Sequence, residues 1–303
     1  MSQESIYWLN GQFVDESKAR VPILTHSLQY GSGIFEGIRA YETPSGSSIF
    51  RLRDHMVRFL NTAKIYRMNL GFSLEELENA VREVVKRNNL KSCYIRPFAF
   101  YDDDHVGVGT TGKKVSTFIA AIPFGKYFSE ADKGLRCKVS SWHRIDSSIL
   151  PIQAKASGNY LNSVIAMHDA HESGYDEAIL TTRDGYVAEG PGENIMMIKN
   201  GEIVTPGKES AILLGITRES ILTMGKDLGY EVRERLIHRE ELYTADELFF
   251  VGTAAEITPI VNVDGIEIGD GRTGKITSRI REEYFNVVSG KNQKYSAWLT
   301  TVS

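Results

Sequence analysis

Asn10-Gly11 stands between two short alternating segments in IYWLNGQFV (6–14), and that dipeptide dictates a tight β-hairpin, because both of its residues accept the left-handed backbone that a two-residue turn requires. Asp184-Gly185 and Asn200-Gly201 repeat the signal within EAILTTRDGYVAEG and NIMMIKNGEIVTP, which read as strands joined by these turns. CYIRPFAFY (93–101) and VSTFIAAIPF (115–124) flank a polar loop and read as another antiparallel pair, and strands are also predicted at 135–145 and 247–254. Helical spacing separates these runs. Helices are predicted at 52–68, after Ser73 with Glu76 in the reciprocal capping position, at 159–174, at 218–228 behind a Thr217 cap, and at 276–288. Many antiparallel strands mixed with separate helices predict an α+β protein, not a doubly wound parallel sheet. Charge and glycine replace the apolar pattern near 125–133, which divides the chain into a smaller 1–124 domain, an interdomain loop at 125–133 and a larger 134–303 domain.

With 303 residues, 42% hydrophobic and 24% charged, the chain has material for two cores. A net charge of −4, with Lys and Arg spread along the chain, leaves no basic stripe, so nucleic acid is not expected as a partner. Cys93 and Cys137 are far apart and form no Cys-x-x-Cys, which argues for neither zinc nor a disulfide framework and fits a reducing cytosol. The start MSQESIYWLNGQF has no charged-then-apolar signal region, and no apolar run approaches the ~18 residues of a membrane span, so cytoplasmic residence and no membrane partner are expected.

Two near-matches to nucleotide-binding loops fail on chemistry. GVGTTGKK (107–114) has Lys114 where a magnesium-binding hydroxyl belongs and leads into a strand, whereas a phosphate loop must open a helix. GDGRTGKI (269–276) fails at Ile276 in the same way, although it does precede a helix. His168 and His171 lack a third ligand, and Asp102 to Asp104 reads as a solvated run, so no metal site is expected.

Two other segments point to a carbonyl cofactor. Lys155 lies in QAKASGNYLNS among Ala154, Ala156 and Gly158, and an amine that must form a Schiff base needs such small neighbours. Glu189 opens EGPGEN, a carboxylate on a glycine-rich turn able to face a pyridine nitrogen, and together the two suggest pyridoxal phosphate. Either residue alone is more readily read as a solvated surface group. LLGITRES (213–220) places Gly215, Ile216 and Thr217 at a helix start, where free amides and the helix dipole suit a phosphate or simply make a cap. GTAAE (252–256) adds small residues at a strand end, whose amides a ligand can approach closely.

YGSGIFEGIRAY, HMVRFLNTAK, CYIRPF, KASGNYLNS, GYVAEGPGENIM, LLGITRESI and ADELFFVGTAAEITPI occur in this order over nearly the whole chain. The sequence closely resembles the branched-chain amino-acid aminotransferases, class IV aminotransferases with the fold-type IV pyridoxal phosphate architecture. That resemblance implies two domains with largely antiparallel sheets, the second barrel-like with flanking helices. It makes Lys155 the Schiff-base residue and proton carrier, Tyr160 the partner of the cofactor's phenolic oxygen and Glu189 that of its ring nitrogen. Arg58 is implied to clamp the phosphate with Ile216, Thr217 and Thr253, and Leu213 to pack on the ring face. The substrate pocket it implies combines Phe35, Gly37, Tyr94, Arg96, Tyr127 and the Thr253-Ala254-Ala255 turn. Tyr30 and Val108 are implied to come from a neighbouring subunit, which makes the assembly a homodimer or a larger oligomer such as a hexamer.

The reaction so implied is ping-pong transfer of the amino group of L-leucine, L-isoleucine or L-valine to 2-oxoglutarate. Phe124, where many relatives carry tryptophan, and the three aspartates of the 102–110 loop depart from the family pattern and bear on side-chain preference. D-amino-acid aminotransferases and aminodeoxychorismate lyases share the fold and the lysine, but D-specific members carry Arg-x-His where this chain has Arg96-Pro97-Phe98. A non-catalytic binding protein on the same fold is expected to have lost one of Lys155, Tyr160, Glu189 and Arg58, and all four are present.

Overall fold

The computed structural model describes residues 4–125, 127–128 and 133–302. The Cα trace divides into two compact units, the first made of Met1–Gly125, Ala154–Gly158 and Val287–Ser303 and the second of Lys126–Gln153 and Asn159–Asn286. The expected division at 125–133 was continuous in sequence, whereas here a five-residue strip around Lys155 and the carboxyl-terminal segment both belong to the first unit. Residues 126 and 129–132 of the expected loop lie outside the described residues.

The first unit opens with β1 (Ile6–Leu9) and β2 (Gln12–Asp15), joined through Asn10 at φ 48° and Gly11 at φ 89°. Both central residues are left-handed, which matches the turn to the twist of the strands it joins. There follow α1 (His26–Tyr30), β3 (Gly33–Phe35), β4 (Ile38–Thr43), β5 (Gly46–Phe50), α2 (Leu52–Ile65), α3 (Leu74–Arg87), β6 (Cys93–Tyr101) and β7 (Val115–Ile122). Ser73 and Glu76 exchange the two hydrogen bonds of a capping box at the start of α3, as their spacing predicts. Met56 and Phe59 of α2 and Leu77, Val81 and Val84 of α3 are buried with Ile38, Ile95 and Ile119 of the strands in one core. Helix spacing of three and four puts these residues on one stripe, and that stripe covers the sheet.

The second unit holds β8 (Leu135–His143), α4 (Tyr160–Glu172), β9 (Glu177–Thr181), β10 (Asn194–Lys199), β11 (Glu202–Thr205), α5 (Ile216–Asp227), β12 (Val232–Glu234), α6 (Arg239–Tyr243), β13 (Glu247–Gly252), β14 (Glu256–Val263) and β15 (Ile266–Glu267). Helix α7 (Lys275–Val288) comes next and is cut by the division. The last strand, β16 (Leu299–Thr301), pairs with β5 of the first unit, whose sheet runs β16-β5-β4-β6-β7-β1-β2 with β3 beside β6.

Every described pair of that sheet is antiparallel, but the second sheet, ordered β12-β11-β10-β13-β14-β8-β9, pairs β8 with β9, β11 with β12 and β14 with β8 in parallel. Two of these parallel pairs follow from connectivity, because α4 carries the chain from β8 to β9 and α5 carries it from β11 to β12, and a crossover helix returns a strand in the same direction. The sheet curls back on itself. Leu180 of β9 exchanges backbone bonds with Ala188 and Glu189, Val187 N–H donates to Ile237 O, and Arg235 N–H donates to Thr205 O of β11. The Asp184-Gly185 turn folds the chain back as its sequence predicts, with Thr181 and Val187 in an antiparallel bridge, and the stretch after it links the two ends of a barrel-like sheet.

Candidate active site

In the first unit, the strip around Lys155 lies along β3: Phe35 N–H donates to Lys155 O at 3.0 Å, and Ile34 bridges to Ala156. Close packing explains the small residues. Ala154 and Ala156 are buried, and a Cβ added to Gly31 would lie 3.4 Å from Gly158 Cα. Lys155 Nζ sits 5.1 Å from the centroid of the Phe35 ring.

Arg58 points from α2 into a cluster that the sequence reading missed. Its Nε and Nη2 donate to Glu36 Oε1 and Oε2 at 2.6 and 2.9 Å, and His55 Nδ1 lies 2.7 Å from Oε2. Glu36 is completely buried. Burial alone would push its carboxyl up, but the Arg58 charge and hydrogen bonds, followed by those of His55, more than offset this and hold it well below the usual carboxylate range. An ionised carboxylate has no hydrogen to give, so Nδ1 of His55 carries it. Burial is the main reason His55 is held below the ordinary histidine value. A signal for the cluster was present in sequence: a lone acid in the apolar run GIFEGI demands a cation, and His55 and Arg58 are three apart on one helix face.

Tyr94 and Arg96, two apart on β6, share a face. Arg96 Nη2 donates to Tyr94 Oη at 3.0 Å, and its guanidinium lies 4.6 Å from the Phe35 ring centroid. Phe124 rests 5.0 Å from the Tyr94 ring. Phe98, at the position that separates this chain from D-specific relatives, stacks on Phe118 at 5.3 Å and on Phe35 at 6.2 Å. Gly37 is required here, since a Cβ would come 2.0 Å from Tyr94 Oη. Gly37→Ala is expected to displace the buried tyrosine, break its bond to Arg96 and cost ~1–3 kcal/mol of stability; denaturant melts check this, and an unchanged midpoint would show that Tyr94 yields freely. Tyr30 Oη accepts from Gly107 N–H at 3.0 Å, and Val108 is 77% exposed.

In the second unit, Glu189 is 5% exposed and its carboxylate is the focus of several donors. Arg144 Nε donates to Oε1 at 2.8 Å, Asn194 Nδ2 to Oε2 at 2.9 Å, and Leu213 N–H to Oε2 at 3.1 Å. Neither Arg144 nor Asn194 was singled out in the sequence, because their distances along the chain from Glu189 carry no periodic signal. Tyr160 is the first residue of α4. Helix α5 begins at Ile216, so its cap is Gly215 and not Thr217, which lies inside the first turn. That cap position has to be glycine: a Cβ on Gly215 would come 2.1 Å from Asn194 Oδ1, the amide whose nitrogen holds Glu189. The amides of Ile216 and Thr217 consequently have no acceptor within the helix. Thr253, Ala254 and Ala255 form the turn between β13 and β14, and Tyr127, 44% exposed, packs edge-on against Phe128 at 4.7 Å.

The nucleotide-loop look-alike at 269–276 does open α7, but Glu247 already occupies its amides, accepting from Ile276 N–H at 3.0 Å and from Thr277 N–H at 2.7 Å. Among the described residues, no group of three or more His, Cys, Asp or Glu is placed to hold a metal.

The family model described as "Amino-transferase class IV" matches residues 33–263. A branched-chain-amino-acid aminotransferase of Salmonella typhimurium is 44% identical over 299 residues, 98% of this chain and 97% of that one. The chain belongs to the branched-chain amino-acid aminotransferases of class IV. The crystal structure of a branched-chain aminotransferase from the archaeon Thermoproteus uzoniensis with norvaline superposes at a TM-score of 0.95, with 47% identity over 99% of this chain and 100% of that one. The T.th. branched-chain amino acid aminotransferase complexed with N-(5'-phosphopyridoxyl)-L-glutamate gives 0.95 at 44% identity, covering 99% of each chain. As a class IV aminotransferase, the chain has residues that fit a phosphorylated pyridine aldehyde: a lysine amine and an arginine held on Glu36 in the first unit, and a glycine-led helix start and a buried carboxylate in the second.

Proposed function

We propose that the chain transfers the amino group of L-leucine, L-isoleucine or L-valine to 2-oxoglutarate, with pyridoxal phosphate held by Lys155, Arg58, Tyr160, Glu189, Leu213, Ile216, Thr217 and Thr253. The observation that carries this reading is the Glu189 carboxylate, buried and gripped by a cation, an amide and a backbone N–H, an arrangement whose use is to face a protonated ring nitrogen. When bound, the cofactor supplies an aldehyde for the amine and a ring that draws electrons from the substrate's α carbon. Lys155 Nζ would hold the cofactor through that aldehyde and, when free, would carry the proton that leaves the substrate's α carbon. Arg58, oriented by Glu36, and the amides of Ile216 and Thr217 bind the phosphate. Tyr160 donates to the phenolic oxygen. Glu189 keeps the ring nitrogen charged. The amides of Thr253, Ala254 and Ala255 take the substrate α-carboxylate, while Phe35, Gly37, Tyr94 and Tyr127 form the apolar wall.

A wall apolar enough for leucine rejects glutamate unless a cation is within reach, and Arg96 is that cation. Its loss removes a charge-assisted contact of about 1.5–3 kcal/mol from the acidic substrate alone. Arg96→Leu is therefore expected to slow the glutamate half-reaction at least about tenfold and leave the leucine half-reaction nearly unchanged in single turnovers. Equal loss in both would assign Arg96 to the site as a whole.

A second copy of the chain is the proposed partner. In the first unit Tyr30 and Val108 are exposed, and so are Ile23, Leu28 and Val106, at 87%, 64% and 76%; exposed apolar side chains of this kind suit burial between subunits. Sedimentation tests this, and a monomer at micromolar concentration contradicts it. No described helix is long and apolar enough to cross a membrane, and residence in the cytoplasm completes the proposal, to be checked by cell fractionation. A panel of L- and D-amino donors assayed with 2-oxoglutarate tests the activity: branched L-donors are expected to lead, and preference for D-donors overturns the reading.

A further inference from the structure

Arg144 follows β8 directly, and its side chain is 7% exposed. Its position is fixed at three points. The backbone N–H donates to Thr181 O at 2.8 Å, Nε to Glu189 Oε1 at 2.8 Å and Nη1 to Asn162 Oδ1 at 3.2 Å. Asn162 is itself locked, because its Oδ1 also accepts from Ile145 N–H at 3.2 Å and its Nδ2 donates to His143 O at 2.9 Å. It stands on α4 two residues beyond Tyr160. The guanidinium therefore cannot swing away from Glu189 without breaking a second, independently anchored bond.

Of the donors described on Glu189, Asn194 Nδ2 and Leu213 N–H are neutral, and Arg144 carries a full charge. The distinction bears on where a proton sits. A carboxylate beside a ring nitrogen shares one proton with it, and the proton goes to the stronger base. Neutral hydrogen bonds weaken a carboxylate as a base moderately; an adjacent guanidinium, which does not lose its own proton, weakens it far more.

We propose that Arg144 is the positioning residue that keeps Glu189 anionic, so that the shared proton stays on the cofactor's ring nitrogen instead of moving to Glu189. The proposal rests on the assignment of Glu189 to that nitrogen. Without the guanidinium, Glu189 is a stronger base and takes a larger share of the proton, and the ring then draws electrons less strongly.

The test is ¹⁵N NMR of the protein reconstituted with pyridoxal phosphate labelled at the ring nitrogen, which reads that proton directly. Wild type and Arg144→Lys are expected to show a protonated nitrogen, Glu189→Gln an unprotonated one, and Arg144→Gln a signal displaced from wild type toward that of Glu189→Gln. In single turnovers with L-leucine, Arg144→Gln should be about tenfold slower than wild type, yet add less than about twofold when combined with Glu189→Gln, because both act through one proton. Should Arg144→Gln not fold, Asn162→Ala carries the test, with a smaller displacement in the same direction. Wild-type signals in Arg144→Gln, or in Asn162→Ala where that variant stands in, overturn the proposal. A wild-type signal in Glu189→Gln removes the Glu189 assignment itself, a failure distinguishable from the first.

Discussion

Lys155→Ala is expected to lower turnover with L-leucine and 2-oxoglutarate at least about a thousandfold, which is roughly 4 kcal/mol of transition-state stabilisation. The substitution removes one amine and little else. The backbone bond from Phe35 N–H to Lys155 O and the bridge from Ile34 to Ala156 do not involve the side chain, so the strip along β3 should keep its place. Arg58 stays on Glu36, and the amides at the start of α5 stay open, so pyridoxal phosphate should still bind, without the visible absorption that comes from its bond to the lysine. Added methylamine should restore part of the rate by replacing the missing base. Turnover that survives the substitution without added amine would sink the assignment of Lys155.

Glu189→Gln is the second large effect, and it should act on rate and stability together. Arg144 Nε, Asn194 Nδ2 and Leu213 N–H converge on the two carboxylate oxygens. Glutamine offers one oxygen and places an NH₂ where the other was, so at least one buried donor is set against another donor, at a cost of ~1–3 kcal/mol. The amide also carries no charge to favour a protonated ring nitrogen, and the leucine half-reaction is expected to slow about a hundredfold. Cofactor should remain bound through its phosphate. A leucine half-reaction at the wild-type rate in Glu189→Gln, with cofactor bound, would leave Glu189 a structural residue.

Local rules read well where a single stretch of chain decides the outcome. Strand β6 runs from Cys93 to Tyr101, as its alternating apolar pattern predicts, and the Ser73–Glu76 cap and the Asn10-Gly11 turn form where their spacing places them. Lys155 and Glu189 drew attention because each is the odd residue in a biased segment, whereas Arg96 was marked only by the family resemblance. What escaped the reading depends on partners far along the chain. Glu36 was not singled out, because the partners that define it, Arg58 and His55, reach it only once α2 is in place. Helix α5 starts at Ile216 with Gly215 as its cap, and that position must be glycine because Asn194, 21 positions earlier in the numbering, leaves no room for a Cβ. The parallel pairs of the second sheet arise from crossover helices, which strand composition does not encode.

The measurement that bears most directly on the central claim times the two half-reactions separately, mixing the pyridoxal phosphate form with L-leucine alone and with L-glutamate alone and identifying the product of each single turnover. A lysine-borne ping-pong transamination predicts that each amino acid, with no second substrate present, releases one equivalent of its own 2-oxo acid and leaves the cofactor aminated. Release of oxo acid only when both substrates are present, or from D-amino acids alone, would contradict the account.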